Sequence, residues 1–323
     1  MNILVVRTDK LGDFITALPT MYLLKEHNPN HKMIACVAPL NEELARACDF
    51  IDEVIVDRGE PLFTFVSQLR NANIEASVTL FSNTRVALAQ FLAQIPQRIA
   101  PATKLAQIFY NRRVKQRRSE VKMAEYEYNL ELARTLFPDM GRRFPSPLLT
   151  FNSKEQREAY AAFCKANNIA KPVIAFHPGF GGSSDANISV KEYLELAKIV
   201  IKHGEYQVVM TFGPGDEAIL DEIKALIRDL DIVLYESKKG LVHFATLVSQ
   251  FKLFVSTSTG TYHLAALVGT PTMTFFADTL FASVKRWKAV SDEAKQHPFM
   301  LPQNRSLYDN KLEEIKTALY ELL

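Results

Sequence analysis

Cysteine is scarce in this chain of 323 residues: only Cys36, Cys48 and Cys164 are present. None has metal-ligand spacing, which excludes a disulfide framework and points to a reducing compartment. Long apolar runs are also missing, and none approaches the roughly 18 residues that a membrane-spanning helix needs. Met1 leads straight into Ile3-Leu4-Val5-Val6 without a basic leader region, so no secretory signal is expected. The chain has little excess charge of either sign. A net charge of +2 gives no bulk attraction for a polyanion, and any basic surface has to be local. The three-glycine dinucleotide fingerprint is absent as well, because Gly12 stands alone in the first turn. That argues against a dehydrogenase.

What is present is a soluble globular composition, 48% hydrophobic and 23% charged, in a chain long enough for two domains. The stretch Val255 to Leu267 is its most informative part. Leu253-Phe254-Val255 reads as a buried strand that stops in Ser256, Thr257, Ser258, Thr259, Gly260 and Thr261, and a helix follows with His263 in its opening turns. Such a helix start gathers free N–H groups at the positive end of the dipole, which suits an anion. An N-cap alone would need one hydroxyl, and five are present.

Strands and helices alternate along both halves. Ile3–Val6, Met33–Val37, Glu53–Val56, Ala76–Leu80 and Gln97–Ala100 read as strands of the first half, with helices between them. The helix after Asp13 contains Pro19, which predicts a kink or a break. Residues 98 to 122 carry eight cations against Glu120 alone. This segment reads either as a loop for phosphates, on a substrate or at an anionic membrane surface, or as a solvated helix face. The proline-bearing segment Phe137–Ser153 is the linker candidate. Val173–Phe176, Gln207–Phe212, Ile232–Tyr235, Leu253–Ser256 and Pro271–Phe276 are the strands of the second half. Three of them run into ligand-like turns: His177-Pro178-Gly179 with Gly181, Gly182, Ser183 and Ser184; Gly213-Pro214-Gly215-Asp216-Glu217; and the Ser256 to Gly260 turn. Residues 310 to 323 form an amphipathic terminal helix.

Two parallel α/β domains with polar turns at their strand ends predict a cleft between facing sheets. Anion-binding turns on one wall and Asp13 on the other suit transfer from a nucleotide sugar, with Asp13 as general base on an acceptor hydroxyl. A diphosphate held on backbone dipoles and hydroxyls needs no divalent metal, so no metal or other cofactor is expected. Taken by position alone, Asp13 also fits a dipole-stabilised acid at a helix start, and His263 a structural histidine.

Nearly the whole chain resembles glycosyltransferase family 9, the lipopolysaccharide heptosyltransferases. The resemblance rests on Ile3 to Asp13, on Glu125-Tyr126-Glu127-Tyr128-Asn129-Leu130, on the 177–184 and 213–217 turns, and most specifically on Thr259-Gly260-Thr261-Tyr262-His263-Leu264-Ala265-Ala266 followed by Gly269-Thr270-Pro271-Thr272. It implies an α/β GT-B architecture of two Rossmann-like domains. Residues 1–150 would bind the acceptor and 151–309 the nucleotide-sugar donor, with 310–323 packing back on the first domain. It further implies inverting transfer of a heptose, from a donor such as ADP-heptose, to a lipopolysaccharide core or similar lipid-linked saccharide. The enzyme would be cytoplasmic, with peripheral contact at the inner membrane face, and would have no nucleic-acid partner.

The implied site residues are Asp13 as the base and Gly179, Ser183, Ser184, Glu217, Ser258, Thr259, Gly260 and His263 for the donor. Arg7, Thr8, Asp9, Lys10, Gly12 and Arg98 are the phosphate or acceptor contacts. Two positions depart from the family pattern. Ser258 stands where an acidic residue precedes Thr-Gly, and Ala186 where a lysine follows the glycine loop, with Lys191 nearby as a substitute. These departures leave two alternatives open: a relative with reduced catalysis that still binds nucleotide sugars, or a transferase with a different donor sugar.

Overall fold

The computed structural model describes residues 1–103, 105–179, 186–227 and 230–323. Two compact units divide at Pro145/Ser146, inside the expected linker.

The first unit holds strands β1 (Asn2–Arg7), β2 (Lys32–Val37), β3 (Glu53–Val56), β4 (Ala76–Thr79), β5 (Gln97–Pro101) and β6 (Arg112–Val114). Its helices are α1 (Leu11–His27), α2 (Glu42–Arg46), α3 (Leu62–Asn71), α4 (Thr84–Leu92) and α5 (Glu125–Arg134). All strand pairs are parallel, in the order β3-β2-β1-β4-β5-β6. Helices on both faces bury the central strands, so β1 and β2 read as continuous apolar runs rather than alternating ones. Leu4, Val6, Ile34, Cys36, Phe65 and Val86 lie together in one layer of the core. Pro19 is buried inside α1 without ending it.

The second unit holds β7 (Val173–His177), β8 (Gln207–Phe212), β9 (Ile232–Glu236), β10 (Leu253–Thr257), β11 (Thr272–Ala277) and β12 (Gln296–Leu301). Its helices are α6 (Ser153–Ala166), α7 (Val190–His203), α8 (Glu217–Leu226), α9 (Leu241–Val248), α10 (Gly260–Leu267), α11 (Val284–Trp287) and α12 (Arg305–Leu322). The order β12-β11-β10-β7-β8-β9 repeats that of the first unit when the strands are counted within the unit. The strand order therefore reverses at one place in each parallel sheet, between β1 and β4 in the first and between β7 and β10 in the second. Ligands bind beyond the carboxyl ends of strands at such a switch point.

Three expectations are corrected. Residues 98–122 do not form a helix; they contain β5, a 3-10 turn at Leu105–Phe109 and β6. β12 was not anticipated, because its polar start and Pro298 mask it; it is an edge strand, where a proline is tolerated. The terminal helix packs on α7 and β12 of its own unit, with Ile315 and Leu319 in the core of that unit. Tyr308 donates to Glu192 at 2.8 Å and Lys316 pairs with Glu195 at 2.7 Å on the same side.

Candidate active site

In the first unit the site begins where β1 ends. Arg7 is its last residue, and its guanidinium is buried beneath the turn that leads into α1. Nε donates to Asp9 Oδ1 at 2.8 Å, Nη2 to Asp13 Oδ1, and Nη1 to Glu125 Oε1 at 3.3 Å. Arg118 Nη1 donates to the same Glu125 oxygen, so one carboxylate bridges two guanidinium groups. Arg118 Nη2 also reaches Asn129 Oδ1 at 3.3 Å. Asn129 in turn donates to the Thr16 carbonyl at 3.1 Å, and Thr16 Oγ1 to the Asp13 carbonyl at 2.7 Å. Two helices, α1 and α5, are thus tied around the acid. Asp13 is the third residue of α1, where the dipole favours a negative charge. Its side chain is 20% exposed, whereas that of Arg7 is almost completely buried.

Burial works against the charge of Arg7, but Asp9, Asp13 and Glu125 outweigh it and hold the guanidinium above its ordinary value. The opposite balance governs Asp9. Burial pushes its carboxyl up to about 6, Arg7 opposes the rise, and the Asp13 charge adds to it. Three carboxylates and two guanidinium groups therefore share one small volume.

Thr8 is half-buried and Lys10 exposed in this turn, and Gly12 occupies the second position of α1. Asn41 holds the loop from the other side, donating to the Asp9 carbonyl at 3.1 Å. Arg98 stands apart from the cluster. In register it lies level with Ser77 and Leu4, short of the strand ends, and its guanidinium is spent on the Phe109 carbonyl at 2.8 Å and on that of Ile95.

In the second unit the three ligand-like turns come together. His177, at the end of β7, shares a hydrogen bond with Thr211 Oγ1 on β8 at 3.0 Å and lies 3.8 Å from Asp216. Burial lowers the His177 pKa against the pull of Asp216, which keeps the ring neutral. Asp216 Oδ2 accepts from the Gly213 N–H at 2.7 Å, and a Cβ placed on Gly179 would meet the same carboxylate at 2.2 Å. The β7 turn is pinned to the β10 turn as well: Thr257 Oγ1 donates to the Ala186 carbonyl at 2.5 Å, and Asn187 donates to the Pro178 carbonyl at 2.9 Å. Glu217 is exposed at the start of α8 and accepts from the Gly215 N–H at 3.2 Å. Lys191 is exposed in the first turn of α7. Ser183 and Ser184 lie outside the described residues.

At the start of α10, Thr259 occupies the N-cap position, yet its hydroxyl makes no cap bond. It pairs instead with Thr261 Oγ1 at 2.8 Å. Among the described residues the N–H groups of the first turn receive no cap from the Thr259 side chain, contrary to the plain-cap reading of the hydroxyls. Ser258 is half-buried and its N–H donates to the Phe275 carbonyl at 2.9 Å. His263 is buried beside Tyr262 and Trp287, its Nδ1 has no partner among the described residues, and burial lowers its pKa to about 4. Helix-start N–H groups and glycine turns at a switch point are features that receive an anion.

Two features escaped the sequence reading: the burial of Glu125 with Arg7 and Arg118, and the part of Asp216 in fixing the glycine turns. Both residues stand within the motifs named above, so their presence was visible and their partners were not.

Two Rossmann-like units of equal strand order, each with its polar turns at the switch point, make up the GT-B fold. A glycosyltransferase family 9 (heptosyltransferase) profile matches residues 62–313. A predicted glycosyltransferase of Haemophilus influenzae is 35% identical over 331 residues, covering 99% of this chain and 95% of its own. The chain belongs to glycosyltransferase family 9. Its fold is shared with E. coli ADP-heptose lps heptosyltransferase II at a TM-score of 0.82 and 20% identity, over 99% of both chains. E. coli heptosyltransferase WaaC with ADP superposes at 0.72 and 17% identity, over the full length of both. A family 9 glycosyl transferase from Veillonella parvula gives 0.78 and 15% identity, over 97% of this chain and 89% of its own. Among the described residues no helix is long and apolar enough to cross a membrane.

Proposed function

We propose that this glycosyltransferase moves a heptose from a nucleotide donor, ADP-heptose or a close analogue, to a lipopolysaccharide core or similar lipid-linked saccharide. The donor diphosphate sits on the start of α10, with Gly179 allowing close backbone approach and Glu217 beside the nucleoside. Asp13 takes the proton of the acceptor hydroxyl. The hydroxyl oxygen then bonds to the anomeric carbon on the face opposite the diphosphate, and the bond to the diphosphate breaks with its electron pair, inverting the centre. Helix N–H groups and hydroxyls stabilise the leaving charge, so the scheme calls on no metal.

The observation that carries this reading is the setting of Asp13: one oxygen is held by buried Arg7 while the side chain remains partly open to solvent. The Asp13→Asn variant tests it. Transfer should fall by about 10² to 10⁴ while calorimetric affinity for the nucleotide sugar is kept. Unchanged turnover would sink the assignment of the base.

A different donor sugar is the second reading. Ser258 offers a hydroxyl where the family usually has a carboxylate, and Ala186 offers no side-chain charge, while its backbone carbonyl accepts from Thr257. Thermal shifts with a panel of nucleotide sugars separate the two, because the true donor binds the folded state and raises its melting temperature.

A further inference from the structure

The 3-10 turn at Leu105–Phe109 carries a feature that the site does not use. Leu105 is 84% exposed and Ile108 68% exposed. Residues three apart eclipse in a 3-10 turn, so the two side chains share one outward face. The turn is fixed from beneath. Ala106 and Tyr110 are buried against Ala87 and Ala100, and the Tyr110 hydroxyl pairs with Ser82 at 2.8 Å. The aliphatic pair is therefore held in water by a packed support. Phe91 on α4, 48% exposed, extends this surface by packing its ring 5.8 Å from that of Phe109.

The chain then enters β6, the edge strand of the sheet, where Arg112 and Arg113 are exposed, followed by exposed Lys115. Arg112 reaches the Thr135 carbonyl at 3.3 Å, while Arg113 and Lys115 have no ion pair among the described residues. Glu120, the one acid of the segment, is taken by Arg117 at 3.0 Å and Lys122 at 2.8 Å. Positive charge is thus left uncompensated next to fixed, exposed aliphatic groups.

We infer that this edge of the first unit docks on an anionic phospholipid bilayer, with Leu105, Ile108 and Phe91 entering the acyl boundary and Arg113 and Lys115, on the strand face shared with Ala100, meeting the headgroup phosphates. Apolar side chains flanked by cations are what such a surface binds. A second copy of the chain fits less well, since a self-complementary contact would bring the same cations together. Nucleic acid would use the charge and leave the aliphatic pair in water. The inference rests on the proposed lipid-linked acceptor for its purpose: the same segment delivers Arg118 to Glu125, and so reaches the Asp13 cluster.

The test is flotation of the full chain with vesicles of phosphatidylglycerol and phosphatidylethanolamine, compared with phosphatidylcholine vesicles. Wild-type protein should float with the anionic vesicles, and less in 0.5 M salt (about 3 Å Debye length at 1 M against about 10 Å at 0.1 M). The double substitution Leu105→Ser with Ile108→Ser should weaken binding about tenfold or more. Arg113→Glu with Lys115→Glu should weaken it about fivefold or more per charge. If the aliphatic variant melts early, the charge variant and the salt dependence decide alone. No flotation of the wild type, flotation indifferent to both variants, or an effect of the aliphatic pair on self-association instead of vesicle binding would each overturn the inference. With detergent-dispersed acceptor, the aliphatic variant should transfer sugar as fast as wild type. If the wild type transfers from no nucleotide sugar, the functional reading fails and the flotation result stands by itself.

Discussion

Arg7 and Glu125 lie 118 positions apart in the chain, and their side chains meet at 3.3 Å. That contact joins the end of β1 to the start of α5 and leaves the remaining Arg7 nitrogens to Asp9 and Asp13. Glu125 acts on Asp13 through Arg7, and through Arg118, Asn129 and Thr16, so it is a positioning residue.

Replacing Glu125 with Gln removes the charge shared by Arg7 and Arg118 but keeps a hydrogen-bond acceptor. Arg7 retains two carboxylates, so the expected loss of stability is about 1–3 kcal/mol, less than for a fully stranded charge. Turnover should fall about tenfold or more as Asp13 loses its fixed orientation, with the donor KM unchanged. A purely structural role would lower the melting temperature and leave kcat at low temperature intact. Kinetics and thermal melts on the same preparation tell the two apart.

Asp9 predicts a pH dependence of stability. Burial raises its carboxyl to about 6 in the folded chain, above the ordinary value of 3.8 that holds when unfolded. Between those values the folded state binds more protons, so the Asp9 contribution is fully present below about 4 and is lost as pH rises through 6. Asp9→Asn keeps an acceptor for Arg7 Nε without the charge. The melting temperature of this variant relative to wild type should therefore be more favourable at pH 7.5 than at pH 4. A gap that does not change with pH would show that folding does not shift the Asp9 carboxyl.

The buried β-strands were legible because an apolar, β-branched run such as Ile3-Leu4-Val5-Val6 has few other places to go in an α/β chain. The edge strands β6 and β12 were not. Arg112-Arg113 and Pro298 are residues that protect or interrupt an edge, and they look like loop in sequence. The turn containing Asp13 was visible from its glycine and its position after β1, whereas the Arg7–Glu125 contact carries no periodic signal across 118 residues. For α12 the amphipathic pattern marked a buried face but could not say which unit receives it. Ile315 and Leu319 answer that by lying in the second core.

His263 predicts acid sensitivity in the second unit. Burial lowers its pKa from 6.5 to about 4, so the folded chain keeps it neutral while the unfolded chain takes up a proton. Its contribution is complete above pH 6.5 and is lost on acidification, by about 3 kcal/mol near pH 4. His263→Gln should flatten the fall in melting temperature between pH 6.5 and 4. If donor phosphate binds at the start of α10, saturating nucleotide should also lessen that fall in the wild type, because an adjacent anion favours the protonated ring. A nucleotide effect that is identical at both pH values would place the phosphate away from His263.

Gly179 makes the most local prediction. A Cβ at this position would lie 2.2 Å from Asp216 Oδ1 and 2.4 Å from both Cγ and Oδ2. The carboxylate is not free to swing aside at no cost, because Oδ2 accepts the Gly213 N–H at 2.7 Å and the group is buried near His177. Gly179→Ala should therefore cost about 1–3 kcal/mol and weaken nucleotide binding, since the two glycine turns can no longer approach. Adding Asp216→Ser should recover part of the stability by removing the clash, while the lost Gly213 contact keeps recovery incomplete. The two substitutions are expected to couple by about 0.5–3 kcal/mol in a double-mutant cycle. Strict additivity would mean that the β7 and β8 turns do not depend on each other.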